Sequence, residues 1–405
     1  MKKLLLVLCL YQSGAMAQKD SSSSKQAVAT PAKPRPKWYE TISLRGYLQT
    51  RYNRLLETNS ALQCEQCDRS WGGNGGFFIR RARIIVFGQI HPRLYFYIQP
   101  DFASSPSSTT QNFAQLRDAY IDLGLDSKNE YRIRVGQSKL PFGFENMQSS
   151  QNRLPLDRTD ALNSSLANER DIGAMFYWAP QKTRQLFSSL VSDGLKGSGD
   201  YGVVGFGVFN GQTMNKPEQN KNLHVVGRIS YPMEVGSQLI EPAIQAYTGK
   251  YFITPDQLSA GTKIKKGNNY LDQRIAGTFV LYPKPFGIQA EYNWGTGPEF
   301  NTATDSIESR SLSGGYALFS YMFKAKDQVL IPFVRIQTYS GGKKHELDAR
   351  SYDVDEFEIG LEWQPFRNFE LVTMYTISHR RFEDFNKQNN YQEGQLLRLQ
   401  AQVNF

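Results

Sequence analysis

The carboxyl-terminal residues 396–405 alternate strictly between two kinds of side chain. One parity reads Leu, Leu, Ala, Val, Phe, and the other reads Leu, Arg, Gln, Gln, Asn. A period of two predicts a β-strand with one apolar and one polar face. The chain ends on Phe405. An aromatic end to the last strand is typical of barrels that close in an outer membrane, where aromatic side chains lie at the lipid interface.

Short alternating segments of the same kind recur from residue 42 onward, separated by clusters of Gly, Pro, Asn and Asp. We therefore predict an all-β fold, a 16-stranded antiparallel transmembrane β-barrel over residues 41–405. An even number of strands is what a single-chain outer-membrane barrel requires. The predicted strands are 42–55, 77–90, 94–102, 115–125, 131–138, 171–179, 201–209, 223–232, 241–252, 274–282, 287–295, 311–323, 329–339, 354–364, 370–379 and 396–405.

The connections between these strands alternate in length. Tight turns are predicted near residues 91–93, 126–130, 283–286 and 365–369, and longer polar loops at 56–76, 138–170, 254–273 and 380–395. Short turns on one rim and long loops on the other are typical of such barrels. The third outer loop, with about 30 residues, is too long for a simple hairpin connection. We expect it to fold inward as a constriction; an external loop is the alternative.

The amino-terminal residues predict export. Lys2 and Lys3 precede a short apolar run at residues 4–11, and Ala15, Met16 and Ala17 form a cleavage site of the A-x-A kind. We therefore predict a signal peptide over residues 1–17, cleaved after Ala17, and a bacterial outer-membrane location. Residues 18–40 are rich in Ser, Lys and Pro, and are expected to form a flexible periplasmic tether.

The amino-acid composition limits which molecules are expected to bind the protein. The chain has 47 Lys and Arg against 38 Asp and Glu, with 22 Tyr and 25 Phe. The aromatic excess fits interfacial girdles, and the basic surplus favours small anionic solutes, outer-membrane lipid and lipopolysaccharide. Nucleic acid is not expected to be a partner of an exported protein. Cys64 and Cys67 are the cysteines left after cleavage, and a small loop disulfide is favoured over a redox or zinc site.

Several motifs resemble a known family. Residues 77–87 read FFIRRARIIVF, and residues 134–146 read RVGQSKLPFGFEN; VFNGQ begins at Val208 and VGRISY at Val226. Together with the terminal Phe, these resemble the phosphate-selective porin O and P family over nearly the whole chain after the tether. The resemblance implies a homotrimer of sixteen-stranded barrels with the third extracellular loop folded into the lumen.

Alternation places several arginines inside the barrel. Arg81 and Arg83 have the parity opposite to the lipid-facing Ala82 and Ile84, and a charge facing mid-bilayer lipid costs about 2–4 kcal/mol. Arg134 is inward by the same argument, and Arg80 lies near the outer end of its strand. Arginine suits an anion pore because its planar fork pairs with phosphate or carboxylate. Salt bridges to Asp101, Asp118 and Asp122 that hold the loop to the wall are the alternative.

The family resemblance implies a set of constriction residues. The arginine pair falls on Arg80 and Arg81, the acidic residue on Asp118, the loop hydroxyls on Ser149 and Ser150, and a loop arginine on Arg158. Lys139 lies in the same RVGQSKLPFGFEN motif and completes the predicted anion-binding set. Asn146 follows Glu145 where the family pattern has a lysine, which weakens phosphate selectivity more than a general preference for anions.

The leading prediction is therefore a porin for passive diffusion of small hydrophilic solutes, with a preference for anions that extends to phosphate. The alternatives are a general non-selective porin and a plugged or adhesive barrel that binds a partner through its extracellular loops. An enzyme is not expected, because the chain contains no G-x-S-x-G or H-E-x-x-H segment. No cofactor and no metal are expected.

Overall fold

The computed structural model describes residues 37–56, 62, 64, 67, 71, 75–103 and 112–405. The chain divides into two units after Lys37, and the second, Trp38–Phe405, is a β-sheet that closes on itself. The predicted signal peptide and almost all of the predicted tether lie outside the described residues.

Within the described residues, sixteen antiparallel strands form the wall in chain order, and the last pairs with the first. The prediction of a sixteen-stranded closed barrel is confirmed. Two strands continue beyond an irregularity as short pieces, Met233–Val235 after β8 and Phe323–Ala325 after β12. The strands are β1 Ile42–Leu56, β2 Gly76–His91, β3 Leu94–Asp101, β4 Gln115–Gly124, β5 Tyr131–Lys139, β6 Arg170–Trp178, β7 Val204–Phe209, β8 His224–Ser230, β9 Gln238–Phe252, β10 Asn269–Leu281, β11 Phe286–Asn301, β12 Ser306–Tyr321, β13 Gln328–Gly342, β14 Ser351–Phe366, β15 Phe369–Asp384 and β16 Lys387–Asn404.

The barrel closes at the chain terminus. The carbonyl of Phe405 accepts a hydrogen bond from the Gly46 amide at 2.7 Å, and the Phe405 amide donates to the Gly46 carbonyl at 3.0 Å. A Cβ at position 46 would lie 2.6 Å from the Phe405 ring, so glycine permits the ring to cover β1. Closure removes the open edges that a sheet otherwise exposes, which a membrane-spanning sheet requires.

Alternation sets the two faces of the wall. On β16, Arg398 is completely buried and Gln402 is almost so, whereas Val403 on the other parity is 43% exposed. Large apolar side chains are exposed on strands around the described wall, for example Leu44 on β1, Ile244 on β9 and Ile359 on β14, as is typical of a wall that faces lipid. Polar and charged side chains are therefore collected inside, where they meet one another.

Several strands are longer than the alternation predicts. The predicted outer loop at 380–395 is wrong, because β15 runs to Asp384 and β16 begins at Lys387. Strands β11 to β14 also extend by three to six residues at the same rim. The extensions are rich in polar residues and contain only isolated apolar side chains such as Phe300, Ile307 and Phe382, so a regular alternation of hydrophobicity does not extend through them.

Connections at the rim that holds Trp38 and Phe405, here called the turn end, are mostly short; the opposite rim is the loop end. One turn-end connection is an exception, because it contains an α-helix that was not predicted from the sequence. Its buried residues Thr183, Phe187 and Leu190 follow the i, i+4, i+7 spacing of a helical face. Among the described residues, no helix is both long and apolar enough to cross a bilayer. The helices are α1 Phe144–Met147, α2 Asp160–Asn163 and α3 Gln181–Ser192, with 3₁₀ turns at Trp38–Thr41, Ala167–Glu169, Pro255–Gln257 and Leu347–Ala349.

Candidate functional site

The connection between β5 and β6, residues 140–169, is here called the β5–β6 segment and is almost entirely buried. Its apolar residues join a single core with inward side chains of the wall; the Phe142 and Tyr247 rings, for example, are 4.8 Å apart. Apolar side chains must find apolar neighbours away from water, which fixes this part of the segment against β9 to β15. The segment residues in that core are Leu140, Phe142, Phe144, Met147, Leu154, Leu156, Ala161, Leu162 and Leu166.

Ion pairs attach the same segment to distant strands. Glu145 Oε1 lies 2.6 Å from the guanidinium of Arg335 on β13. Asp160 Oδ2 lies 2.6 Å from the guanidinium of Arg380 on β15, and Asp160 also contacts Lys343. These groups are nearly inaccessible to water, so each charge depends on its partner for stability.

Asp157 is the centre of the third attachment. It contacts Arg398 on β16, and its Oδ1 lies 3.6 Å from Arg51 on β1 and 4.0 Å from Arg80 on β2. The indole of Trp71 donates to its Oδ2 at 3.4 Å. Burial opposes ionisation, but these guanidinium groups hold the pKa of Asp157 well below its ordinary value. One carboxylate is thus shared among several arginines.

A β-bulge explains why two consecutive arginines face inward. Gln49 on β1 pairs with Arg81 and Thr50 pairs with Ile79, so Arg80 is the extra residue on β2. Strict alternation would have sent Arg80 to the lipid face. The bulge instead brings Arg80 to Asp157 and leaves Arg81 inside, 4% exposed.

Two guanidinium groups near this point, those of Arg81 and Arg153, form no direct ion pair within the described part of the chain. Glu145, Glu169 and Asp157 nevertheless lie close enough to attract Arg153. Arg81 donates to Gln49 Oε1 at 2.8 Å, and Arg153 donates only to the carbonyl of Leu156 at 3.5 Å. Both arginines are at most 5% exposed, and both have nitrogen atoms without a hydrogen-bond partner. Arg80 and Arg153 are both close enough to repel Arg81.

The other predicted cations are paired. Arg83 lies 2.7 Å from Asp101 and Arg134 lies 2.7 Å from Asp122. Asp101 and Asp122 are the partners named in the alternative to solute binding, but these pairs join neighbouring strands and do not hold the loop to the wall. Arg134 also binds Asp122 through a second nitrogen at 2.8 Å, which gives the bidentate geometry of a strong guanidinium–carboxylate pair.

Asp118, Arg158 and Lys139 also have protein partners. Asp118 binds Arg170 at 2.8 Å, and Arg158 contacts Glu169 within the β5–β6 segment. Lys139 donates to the carbonyls of Met147 and Gln148 at 3.2 and 2.6 Å, so it ties the end of β5 to the β5–β6 segment.

The two predicted loop hydroxyls, Ser149 and Ser150, and the neighbouring Asn146 lie in different surroundings. Ser149 borders a cavity, whereas Ser150 is buried and its carbonyl accepts a hydrogen bond from Gln49 at 3.3 Å. Asn146 is completely buried and donates to the Leu162 carbonyl at 3.0 Å. A lysine at position 146 would therefore point into the β5–β6 segment.

A cavity of about 650 Å³ lies beside β1 to β6. It brings together four of the nine predicted anion-binding residues: Asp118, Arg134, Lys139 and Ser149. The other five, Arg80, Arg81, Arg83, Ser150 and Arg158, do not border it. The predicted set is therefore divided between the cavity and the attachment of the β5–β6 segment.

Sequence reasoning missed Asp157, Arg153, Arg170 and α3. Asp157 stands next to the predicted Arg158, and Arg170 is the first residue of β6, one position before the predicted strand, but no periodic pattern extends through either position. The regular spacing of apolar residues in α3 was a usable signal.

Cys64 and Cys67 are joined by a disulfide, and they pack with Leu62, Trp71 and Leu396.

Comparisons with solved structures give the fold. The chain is similar to Salmonella typhi OmpF in complex with daunomycin, with 14% identity, a TM-score of 0.54 and coverage of 90% of this chain and 97% of that one. It is similar to an anion-selective porin from Comamonas acidovorans, with 10% identity, a TM-score of 0.52 and coverage of 90% and 99%. A trimer form of Vibrio cholerae OmpT matches with 10% identity, a TM-score of 0.50 and the same coverage.

No curated protein matches the chain significantly in sequence. A family model does match, from residue 60 to residue 405, and its description is phosphate-selective porin O and P. This range includes the arginine motif on β2, the β5–β6 segment and the closing strand. The chain therefore belongs to the phosphate-selective porin O and P family.

Proposed function

We propose that the protein is an outer-membrane porin through which small hydrophilic solutes diffuse passively, with a preference for anions. The observation that carries this proposal is the buried guanidinium group of Arg81, which forms no ion pair among the described residues and lies near three other arginines, Arg80, Arg83 and Arg153. A buried charge without a counter-ion is costly, so a passing anion would find a favourable site there. Membership of a porin family and the closed barrel fold support the location and the channel.

We infer that the β5–β6 segment lies within the barrel and narrows it. Its anchors on β1, β13, β15 and β16 come from different parts of the wall, which supports an interior position. An anion that enters the narrowed passage must give up water, and arginine replaces that hydration with fixed donors and charge. No bond of the solute is made or broken in this function, and we propose no catalytic role.

Phosphate is the finer part of the proposal. The family description names phosphate selectivity. The guanidinium groups available near β2 have the planar donor geometry that suits phosphate. We propose that phosphate passes through the channel along with other anions. If the channel strictly preferred phosphate, a low concentration of phosphate would block the chloride current.

We also propose a homotrimer that associates through β3 to β8. These strands have only 6–10 residues, whereas β9 to β16 have 13–18. A tilted strand needs about 9–11 residues to span the hydrocarbon core, so the shortest strands do not suffice for a wall that faces lipid. Contact with other copies would cover this side.

The test is ion selectivity in planar bilayers. Arg81→Gln removes one unneutralised charge, and the anion-to-cation permeability ratio from the reversal potential should fall at least about twofold. Arg310→Gln is the matched control, because Arg310 is 48% exposed at the loop end. A wild-type channel that prefers cations, or equal ratios in the two variants, would remove the claim of anion preference.

A plugged barrel is the second candidate, favoured by the extent of the interior core. The β5–β6 segment and α3 both contribute to that core, together with wall strands from β6 to β15. A purified trimer that carries no current in the bilayer experiment would support this candidate instead.

A further inference from the structure

The cavity of about 650 Å³ is here called the vestibule. Its lining includes aromatic rings and paired charges that the passage of a single small anion does not require. The vestibule is bordered by inner-face residues of β1 to β6, by α3 and by Ser149, Gln151 and Asn152. Arg81 and Arg153 do not border it. Its volume lies in the range of about 300–1,000 Å³ that is typical of pockets for organic ligands, rather than for single ions.

A strip of four aromatic rings follows the inner face of β2 to β4. The Tyr97 and Tyr120 rings are stacked with centroids 5.2 Å apart. Phe87 lies 6.3 Å from Tyr97 and 6.4 Å from Tyr95. The three tyrosines border the vestibule and are only partly buried. Aromatic side chains normally face lipid in such barrels, so a strip on the inner wall offers apolar surface to a solute.

Paired charges surround this strip. Arg134 holds Asp122 through two nitrogens, and its guanidinium carbon lies 3.9 Å from the centroid of the Tyr120 ring. Arg132 and Arg184 both hold Asp200 at 2.8 Å. Neutral guanidinium–carboxylate pairs present donors and acceptors side by side, which matches the hydroxyl groups of a sugar.

Two further cations border the vestibule and are available to an anionic group. Arg45 and Arg93 are both exposed, and among the described residues neither forms an ion pair with a carboxylate. The guanidinium of Arg45 lies 5.1 Å from the Phe87 ring centroid. A positive charge therefore lies at the edge of the aromatic strip.

Helix α3 provides the facing wall. Ser188 and Ser192 border the vestibule opposite the strands. The helix is held by Arg184, and the residues after it are anchored by Lys196, whose Nζ lies 2.5 Å from Glu362. The vestibule is thus bounded on both sides by fixed elements, as a preformed binding site is.

We propose that the vestibule binds an anionic monosaccharide, a sugar phosphate or a sugar acid, on its way through the channel. The C–H face of the sugar ring lies on the aromatic strip, its hydroxyls bind the Arg134–Asp122 and Arg132–Asp200 pairs, and its phosphate or carboxylate lies at Arg45 and Arg93. The inference rests on the proposed channel function and adds the class of solute to it. Inorganic phosphate lacks the ring face, and glucose lacks the charge.

The experiment measures block of chloride current by the purified full-length protein in planar bilayers, with the probe present on both sides. Glucose 6-phosphate, glucuronate, inorganic phosphate, glucose and phenyl phosphate are compared at the same ionic strength. Glucose 6-phosphate and glucuronate should block at concentrations about tenfold lower than phosphate or glucose. Tyr97→Ala should raise their half-blocking concentrations at least about fivefold and leave that of phosphate unchanged. Tyr97→Phe, which keeps the ring, should retain most of the block.

Tyr292→Ala is the matched control, since Tyr292 faces outward and is 37% exposed. Equal block by phosphate and glucose 6-phosphate would overturn the inference, as would a Tyr97→Ala shift that is the same for both. Stronger block by phenyl phosphate than by glucose 6-phosphate would overturn the assignment to sugars. The chloride reversal potential, measured on the same channels, tests the anion preference independently of all these outcomes.

Discussion

Asp157→Asn tests whether the β5–β6 segment is attached by its buried charges. The substitution keeps the size of the side chain and removes the negative charge that Arg398, Arg51 and Arg80 share. Arg51 and Arg398 are both completely buried, so their charges would lose a counter-ion with no water to replace it. We expect a less stable barrel and a stronger preference for anions.

The expected loss of stability can be estimated from the remaining contacts. Removing one partner of a buried ion pair costs about 3–5 kcal/mol. Arg51 keeps a hydrogen bond of 2.6 Å to Gln400, and Arg398 keeps one of 3.0 Å to Thr376 and lies 3.6 Å from Glu358. These contacts place the estimate near the lower end, at about 3 kcal/mol.

The assay is urea unfolding in detergent or lipid, followed by tryptophan fluorescence and by the heat-dependent shift in gel mobility. Asp353→Asn is the matched control, because Asp353 also pairs with an arginine, Arg381, but is 47% exposed. An exposed pair is worth about 0–1 kcal/mol, so this variant should resemble the wild type. The reasoning is refuted if Asp157→Asn is destabilised no more than Asp353→Asn.

Three further predictions concern association, the position of the missing lysine and pH. Ile121→Arg, on the short strand β4, should dissociate the trimer. Ile359→Arg, on the long strand β14, should leave the size of the oligomer unchanged in the protein that inserts. Light scattering in detergent measures the oligomer size of both variants. Asn146→Lys should lower stability by about 1–3 kcal/mol and leave phosphate block unchanged, because residue 146 is completely buried in the β5–β6 segment; a sharper phosphate block would contradict this. The pKa of Asp157 is depressed in the folded protein, so its contribution to stability is complete above about pH 4 and is lost only as the pH falls through the folded-state value. Unfolding curves at about pH 5 and about pH 8 should therefore report the same Asp157 contribution, and loss of that contribution at about pH 5 would refute the assignment.

Most of the barrel could be predicted from local pattern. Each of the sixteen predicted strands overlaps an observed one, because alternation is a property of neighbouring residues and needs no knowledge of distant ones. The features that were not predicted lie where the alternation of apolar and polar residues is absent or interrupted. The hairpin between β15 and β16 is mostly polar, α3 has a different period, and the bulge at Arg80 shifts the parity by one residue.

The sequence predicted which residues belong to the candidate site better than it predicted the role of each residue. Parity placed Arg81, Arg83 and Arg134 inside, and the structure has all three buried there. Their roles differ, because Arg83 and Arg134 have carboxylate partners on neighbouring strands and Arg81 does not. Residue type and parity are the same for all three, so no local pattern separates a neutralised arginine from a free charge.

By itself, the sequence determined that this chain forms a closed ribbon with an apolar outer face and a basic interior, since side chains on a strand must point alternately to lipid and to water. Only the tertiary structure decided which of the interior charges are cancelled. Asp157 meets an arginine 241 positions away, and Asp160 meets one 220 positions away. Ion pairing acts over a few ångströms, and those separations come from the closure of the barrel and the packing of the β5–β6 segment.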